Sequence, residues 1–179
     1  GTWELKGKTM TEVVEFDTDN PERVGSAVVF DINIDDEFLE IVGSEMKFSR
    51  LDNGAPGDLN GAWLMSARIR DGKKQERDIS RPRKTMKILS GTRFQWIAYN
   101  TETKKFMATG GGTYTTLKGK YKENIEFFSR DNSKVGLNLE FDYEILIKTD
   151  DKKLVSQKNW YHKGFSSKGN PINEIWTQR

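Results

Sequence analysis

Apolar and polar residues alternate along most of this chain, a pattern typical of strands that bury one face. In 137–147 every second residue is apolar and those between are mainly polar, and 28–34 follow the same rule. The alternation predicts further strands, which span 62–69, 84–89, 93–99, 105–108, 112–117, 121–128, 153–162 and 173–179. Short polar turns separate them, so the pattern favours an antiparallel meander. Such a sheet loses its open edges when it closes into a barrel.

Two segments depart from this alternation. Residues 71–83 are strongly charged and include Pro82, and no helical period of apolar residues runs through them, so they predict a long loop. The three glycines at 110–112 are not followed by a helix that could bind a phosphate at its N-terminus. They therefore predict a turn or a bulge at the start of a strand.

Part of the chain is an internal repeat. Residues 12–34 align without a gap on 123–145 at a constant offset of 111, with eight identities in 23 positions. A one-residue shift extends the match upstream, where Gly7 corresponds to Gly119. Nothing in the first copy corresponds to 59–111, so that copy begins in the middle of a unit. The repeat predicts two related strand frameworks, of which only the second is complete.

These patterns predict an all-β protein, with an antiparallel up-and-down β-barrel preceded by a partial β-meander repeat. We expect a partial repeat of about four strands in 1–50, a linker in 51–58 and a complete barrel in 59–179. The linker region carries two glycines and one proline, a composition typical of a boundary between domains.

Composition argues against several classes of function. The 29 basic and 27 acidic side chains nearly cancel, so no broad positive field exists for nucleic acid and we expect no such partner. Absence of Cys removes thiolate nucleophiles and Cys-ligated zinc, and the single His argues against a transition-metal site. We therefore expect no metal and no cofactor. No apolar run approaches the ~18 residues of a membrane-spanning helix.

A resemblance to a known family rests on the motifs of 59–179. The predicted barrel opens with a Gly-x-Trp at Gly61 and Trp63 and ends with the segment 175–179, and the segments 94–97, 111–114 and 121–127 add to the match. Together they resemble the lipocalin and calycin pattern, and in particular the uncharacterised lipocalin-like domains of bacterial secreted and envelope proteins. The first copy lacks the opening strands and the Gly-x-Trp, so it cannot close a barrel of this type alone.

The resemblance implies a lipocalin-like barrel of eight or more antiparallel strands with an internal cavity and no established activity. It also implies that the protein is secreted or is located in the periplasm or cell envelope. In this pattern the Trp of the first strand, here Trp63, packs across the barrel mouth against a basic residue from the last strand.

Aromatic side chains supply candidates for a ligand cavity. Phe94 and Trp96 share one face of a predicted strand, and Tyr143 lies on the inward face of a later one. The candidate ligand-binding residues are Phe94, Trp96, Tyr114, Glu123, Tyr143 and Trp160. The alternative is that the aromatic side chains only fill the core.

Glu123 is the most informative polar candidate. Alternation places it on the same strand face as Ile125 and Phe127, with Phe128 on the opposite face. A carboxylate on an apolar face could anchor a ligand or act as an acid or base. The alternative is a structural Glu at the strand end, near the barrel rim, that pairs with an arginine or a tyrosine. Its recurrence as Glu12, in a copy that cannot form the same cavity, favours that structural role.

His162 is the only histidine and shares a strand face with Trp160. Beside a carboxylate it could form an acid–base pair, although a rim or surface position near the Gly- and Ser-rich segment that follows is the alternative. A basic cluster at the predicted loop, formed by Arg77, Arg81, Arg83, Lys84 and Lys87, could bind an anion. The alternative is that these basic side chains belong to a solvated loop beside the barrel mouth and bind nothing.

Three hypotheses follow for the function. The first is a non-enzymatic secreted or periplasmic barrel that binds a small apolar or amphipathic ligand. The second is an interaction module, or a homo-oligomer, assembled through the open edges of the N-terminal strands. The third is a calycin-like enzyme that uses Glu123 and His162.

Overall fold

The structure, a computed structural model, describes residues 1–52, 57–150 and 155–179 and consists almost entirely of antiparallel strands. In the first part of the chain these are β1 (Thr2–Lys6), β2 (Thr9–Val13), β3 (Ala27–Ile34), β4 (Phe38–Ile41) and β5 (Lys47–Ser49). The others are β6 (Gly61–Arg70), β7 (Lys73–Glu76), β8 (Arg83–Leu89), β9 (Arg93–Asn100), β10 (Lys105–Leu117), β11 (Lys120–Phe128), β12 (Asn138–Asp150), β13 (Val155–Phe165) and β14 (Pro171–Gln178). The prediction of an all-β fold is confirmed.

The chain divides into two compact units. The first contains the described residues up to 52 together with Tyr99–Met107, and the second contains those of 57–98 and 108–179. Sequence patterns did not predict that the end of the β9–β10 hairpin belongs to the first unit. The predicted linker 51–58 lies partly outside the described residues.

Eight strands close the barrel of the second unit, in the order β6, β8, β9, β10, β11, β12, β13 and β14. Closure comes from antiparallel pairing of β14 with β6, in which Glu174 lies opposite Arg68 and Gln178 opposite Trp63. The prediction of a long loop over 71–83 is wrong in part. Residues Lys73–Glu76 form β7, which turns back at Asp71 and Gly72 and pairs with the end of β6.

The first unit contains an open sheet of five strands in chain order, β1 to β5, where the sequence predicted about four. Strand order and register match those of the last five barrel strands, β10 to β14. Each copy contains the same row across three strands, Trp3, Glu12 and Val28 in the first and Tyr114, Glu123 and Leu139 in the second. The hairpin of β3 and β4 is short, with three residue pairs, whereas β12 and β13 share ten.

Backbone hydrogen bonds confirm the offset of 111 between the two copies. A 3₁₀ helix follows the second strand in both, at Pro21–Arg23 and at Asn132–Lys134. Gly25 N–H donates to Val14 at 2.8 Å, and Gly136 N–H donates to Ile125 at the same distance. Both glycines have positive φ, 91° and 87°, a conformation that favours glycine. The repeat therefore includes the connection between the second and third strands of each copy as well as the strands themselves.

The one-residue shift in the upstream alignment reflects a different type of turn in each copy, because the β1–β2 and β10–β11 hairpins have the same register. Both hairpins have two-residue turns, because Lys6 pairs with Thr9 and Leu117 pairs with Lys120. Positive φ occurs at Gly7 in the first turn, and at both Lys118 and Gly119 in the second. The two patterns match type II′ and type I′ turns, which place glycine at different positions.

A bulge in β11 lies opposite the glycine-rich segment and changes the facing of β11. The prediction of a turn or a bulge at the start of a strand is wrong in part, because 110–112 lie within the continuous strand β10 and the extra residue belongs to β11. The register moves from Gly111 opposite Phe127 to Gly112 opposite Ile125, which leaves Glu126 as an extra residue. Side-chain facing is inverted beyond the bulge. Phe127 is therefore 41% exposed, and Phe128 packs inside against Trp96, contrary to the prediction from simple alternation.

Large aromatic side chains fill one end of the barrel, where β6 and β11 begin. Trp63, Tyr121 and Trp160 are fully buried there, and Trp63 donates its indole N–H to the Leu59 carbonyl at 2.8 Å. Lys158 of β13 places its Nζ 5.6 Å from the centre of the Trp63 ring. The basic residue over this Trp thus comes from the strand before the last. A cavity lies toward the other end of the barrel.

Candidate functional site

The barrel contains a cavity of about 250 Å³ that opens to solvent. Its apolar wall is formed by Met65, Trp96, Ile125, Phe128, Leu139, Phe141, Ile172 and Trp176. Its polar wall is formed by Arg68, Thr85, Lys87, Glu123, His162, Ser166, Ser167 and Glu174. Alternation along the strands, shifted by bulges in β6 and β11, directs the strand side chains inward, and barrel closure brings them together. The cavity is therefore amphipathic.

A buried ion pair lies in the polar wall. Lys87 Nζ is 2.6 Å from Glu123 Oε1, and both side chains are almost completely buried. Tyr121 donates its hydroxyl to the same carboxylate oxygen at 2.8 Å. Burial and the charge of Glu123 raise the pKa of Tyr121 well above its ordinary value, so its hydroxyl stays a donor. Glu123 is thus held by one cation and one hydrogen bond.

The Lys87 ammonium is also surrounded by aromatic faces. Its Nζ lies 5.0 Å from the centre of the Trp160 ring and 5.1 Å from that of Tyr121. Further rings lie within 5.9 Å, those of Phe94, Phe141 and Trp176. Cation–π attraction therefore offsets part of the cost of burying this charge. The prediction that Lys87 belongs to a solvated basic loop is wrong.

A second polar group crosses three neighbouring strands. Glu174 on β14 pairs in register with His162 on β13 and with Arg68 on β6. Arg68 Nε is 3.3 Å from Glu174 Oε1, and His162 Nδ1 is 3.9 Å from Glu174 Oε2. The latter distance is too long for a hydrogen bond. The surface alternative for His162 is wrong, because its side chain is only 2% exposed.

Protonation in this group follows from burial and charge. Burial, with the nearby Lys87 ammonium, lowers the pKa of His162 below its ordinary value. Burial alone would raise the pKa of Glu174, but His162, Arg68 and Lys87 together hold it below the ordinary carboxyl value. Near neutral pH the imidazole is therefore neutral and Glu174 is ionised.

Several buried nitrogen atoms in the cavity wall lack a hydrogen-bond partner within the described residues. They are both ring nitrogens of His162, the indole Nε1 of Trp176 and Nε of Arg68. Buried polar groups in native proteins nearly always have partners, so unpaired ones in a cavity wall are a sign of function.

The six predicted ligand-binding residues occupy different positions. Trp96 and Glu123 line the cavity. Phe94, Tyr114 and Trp160 belong to the buried core, and the Tyr114 hydroxyl donates to the Ser90 carbonyl at 2.6 Å. The Tyr143 hydroxyl donates to Asp58 Oδ2 at 3.0 Å. As ligand-binding residues all six remain predictions.

Sequence reasoning overlooked two charged residues of the cavity, Arg68 and Glu174. Alternation could have identified Glu174, because it shares a strand face with Ile172 and Trp176 in β14. No comparable signal marked Arg68, since an extra residue of β6 at Ser66 shifts its facing relative to Met65.

Two further observations concern metals and membranes. No cluster of three or more His, Asp or Glu side chains suited to a metal ion occurs within residues 1–52, 57–150 and 155–179. Within the same residues no helix has the length and apolar character needed to cross a membrane.

Fold and site together define a closed eight-stranded antiparallel β-barrel with an amphipathic internal cavity. Residues 58–178 match the family described as a domain of unknown function, DUF4488, and the chain belongs to this family. The match covers nearly all of the barrel and none of the open sheet of β1 to β5. A comparison with curated proteins found no match.

Proposed function

We propose that the barrel is a lipocalin-like, non-enzymatic binding protein that holds a small amphipathic ligand in its cavity. The observation that carries this proposal is the cavity of about 250 Å³, which is lined by both apolar and polar side chains. Binding sites for small molecules combine a mainly apolar lining with a few convergent polar groups.

Cavity volume limits the ligand. An apolar cavity of about 150 Å³ is large enough for benzene. The present cavity therefore suits a somewhat larger molecule, well below a long-chain lipid in size. Its apolar part would contact Ile125, Leu139 and Ile172, while its polar part would face His162 and Glu174.

The lipocalin-like assignment is supported by the eight-stranded barrel and by the buried Trp63 at the start of β6. A secreted or periplasmic location belongs to the same proposal and rests on the sequence resemblance alone.

Binding is favoured over catalysis by the state of Glu123. Its Oε1 is held by Lys87 and by Tyr121, which leaves this carboxylate poorly suited to exchange a proton with a substrate. His162 lies in the same cavity, but its acidic neighbour is Glu174, at 3.9 Å. The proposed enzyme pair of Glu123 and His162 thus has less support than a binding site.

Filling the cavity tests the proposal. We expect Leu139→Trp to abolish ligand binding, because Leu139 lines the cavity and the larger ring would occupy it. Native mass spectrometry of the purified protein would detect a retained ligand, and thermal unfolding would show that the variant is folded.

Leu146→Trp is the matched control, since Leu146 lies on the same strand and is 40% exposed. It should retain ligand as wild type does. Equal retention by both variants would place the ligand outside the cavity, and a wild-type protein that never carries or takes up a small molecule would contradict the proposed function.

A second candidate function is self-association through the first unit. Within the described residues, β1 and β5 are edge strands of an open sheet. Trp3 on β1 is 68% exposed, and Phe48 on β5 is 53% exposed. Open edges with apolar side chains favour pairing with another chain.

Sedimentation velocity tests this association. We expect wild type to associate as its concentration rises, and Trp3→Lys to weaken that association by placing a charge on the edge strand. Leu117→Lys is the control, since Leu117 is 69% exposed and lies on β10 of the barrel. A wild-type protein that stays monomeric, or equal effects of both variants, would rule out association through this edge.

A further inference from the structure

We propose that the ligand of the cavity is a small organic acid whose carboxylate accepts hydrogen bonds from His162, Trp176 and Arg68, and that His162 takes up one proton as the acid binds. This inference rests on the proposed function and adds the chemical class of the ligand.

The first argument comes from the unpaired nitrogen atoms. Trp176 Nε1 and Arg68 Nε carry N–H groups, and His162 carries one N–H when neutral and two when protonated. His162 and Trp176 are each 2% exposed, so bulk water does not satisfy them freely. A ligand that supplies acceptor oxygens would satisfy all three side chains, and a carboxylate supplies two such oxygens.

The second argument comes from charge balance. Lys87 neutralises Glu123 at 2.6 Å, and Arg68 neutralises Glu174 at 3.3 Å. His162 is then the one titratable side chain of the cavity wall that carries no compensating partner charge. An anionic ligand adds one negative charge to this buried site, and protonation of His162 restores neutrality.

The charged and titratable groups around His162 come from three strands. Lys87 on β8 opposes its protonation, and Glu123 on β11 and Glu174 on β14 favour it. Tyr121 on β11 contacts the imidazole with its ring, at 5.6 Å between centres, and stays neutral. Without a ligand, burial and Lys87 prevail and keep the imidazole neutral. One further negative charge at the ring would reverse this balance.

The third argument concerns the surroundings of the cavity. Arg77 donates to the Met65 sulfur at 2.9 Å, next to the apolar wall. Burial, with the charges of Arg68 and Arg83, lowers the pKa of Arg77. The positive charge of Arg77 beside the cavity favours anions over cationic ligands.

Isothermal titration calorimetry with matched compounds tests the inference. The probes are octanoate and hydrocinnamate, each compared with the amide and the amine of the same carbon skeleton. We expect both acids to bind at least about tenfold more tightly than their amides, because hydrogen bonds to a charged group are the stronger ones. Titrations in buffers of different ionisation enthalpy should show uptake of about one proton per bound acid and none for the amides.

Two variants separate a role in binding from a role in folding. His162→Phe should abolish proton uptake and lower the affinity for the acids to that for the amides. Trp176→Phe retains an aromatic ring but removes the indole N–H. It should therefore weaken acid binding about tenfold and leave amide binding nearly unchanged. Thermal unfolding of both variants checks that the barrel remains intact.

The outcomes are distinct. Amides or amines that bind as tightly as the acids, or acid binding without proton uptake, would overturn the inference and leave the ligand-binding function standing. Absence of binding by all six compounds also overturns it. Failure of the proposed function itself would appear separately, as equal ligand retention by the Leu139→Trp and Leu146→Trp variants.

Discussion

Replacing Lys87 with methionine is expected to lower the free energy of unfolding by about 3–5 kcal/mol, the usual range when one partner of a buried ion pair is removed. Glu123 would keep the Tyr121 hydrogen bond but lose the ammonium at 2.6 Å, and it would be left as a buried charge with no counterion. Urea unfolding followed by tryptophan fluorescence measures the change, because Trp63, Trp160 and Trp176 are all buried in the barrel.

The repeat supplies a matched control for this experiment. Glu12 occupies the position of Glu123 in the first sheet, but it is only half-buried and no ion pair of its side chain occurs within the described residues. Glu12→Gln should therefore change stability by less than about 0.5 kcal/mol. The double variant Lys87→Met/Glu123→Leu should recover most of the loss, since both charges are removed together. A small effect of Lys87→Met would show that the pair is solvated.

Substitution of Gly112 by alanine should have the second large effect, a loss of about 3 kcal/mol, at the upper end of the range for overpacking. An added Cβ would lie 2.0 Å from the Asn124 carbonyl oxygen and 2.8 Å from the Glu126 nitrogen. Both are backbone atoms, so no side chain can rotate away. Relief requires β10 and β11 to separate at the bulge that directs Phe128 into the cavity.

Gly169→Ala separates this clash from the general cost of replacing glycine. Gly169 has φ of 75° in the β13–β14 turn, and an added Cβ would meet no atom within 4 Å. The expected loss is about 1 kcal/mol, the cost of a left-handed conformation for alanine. Thermal denaturation of the two variants should show the larger decrease for Gly112→Ala, and equal decreases would mean that the strands accommodate the methyl group.

Local patterns predicted the strands well because alternation depends only on neighbouring residues. Glu123 was correctly placed on the inward face of its strand, beside Ile125. Alternation failed beyond Glu126, where one extra residue inverts the facing of Phe127 and Phe128. A bulge depends on the partner strand, in this case on the backbone of Gly111 and Gly112, so periodicity along a single strand cannot reveal it.

The site itself was only partly predictable. Glu123 and His162 were both selected from the sequence, and both line the cavity. Lys87 lies in the predicted strand 84–89 but was grouped with a solvated basic cluster, whereas β8 directs its side chain into the barrel. Aromatic residues such as Phe94 and Trp160 occur both in hydrophobic cores and in binding sites, so composition alone cannot separate the two roles.

The sequence by itself determined most of the barrel strands, their alternation and the strand framework that occurs twice, because all of these depend on local periodicity and on the offset of 111. Only the tertiary structure decided which inward side chains meet. Arg68, Glu174 and His162 form one row because β14 pairs with β6 and with β13 in a particular register. Lys87 reaches Glu123 through the interior of the closed barrel. Closure and register are properties of whole strands, and they turn separate polar residues into a single amphipathic cavity.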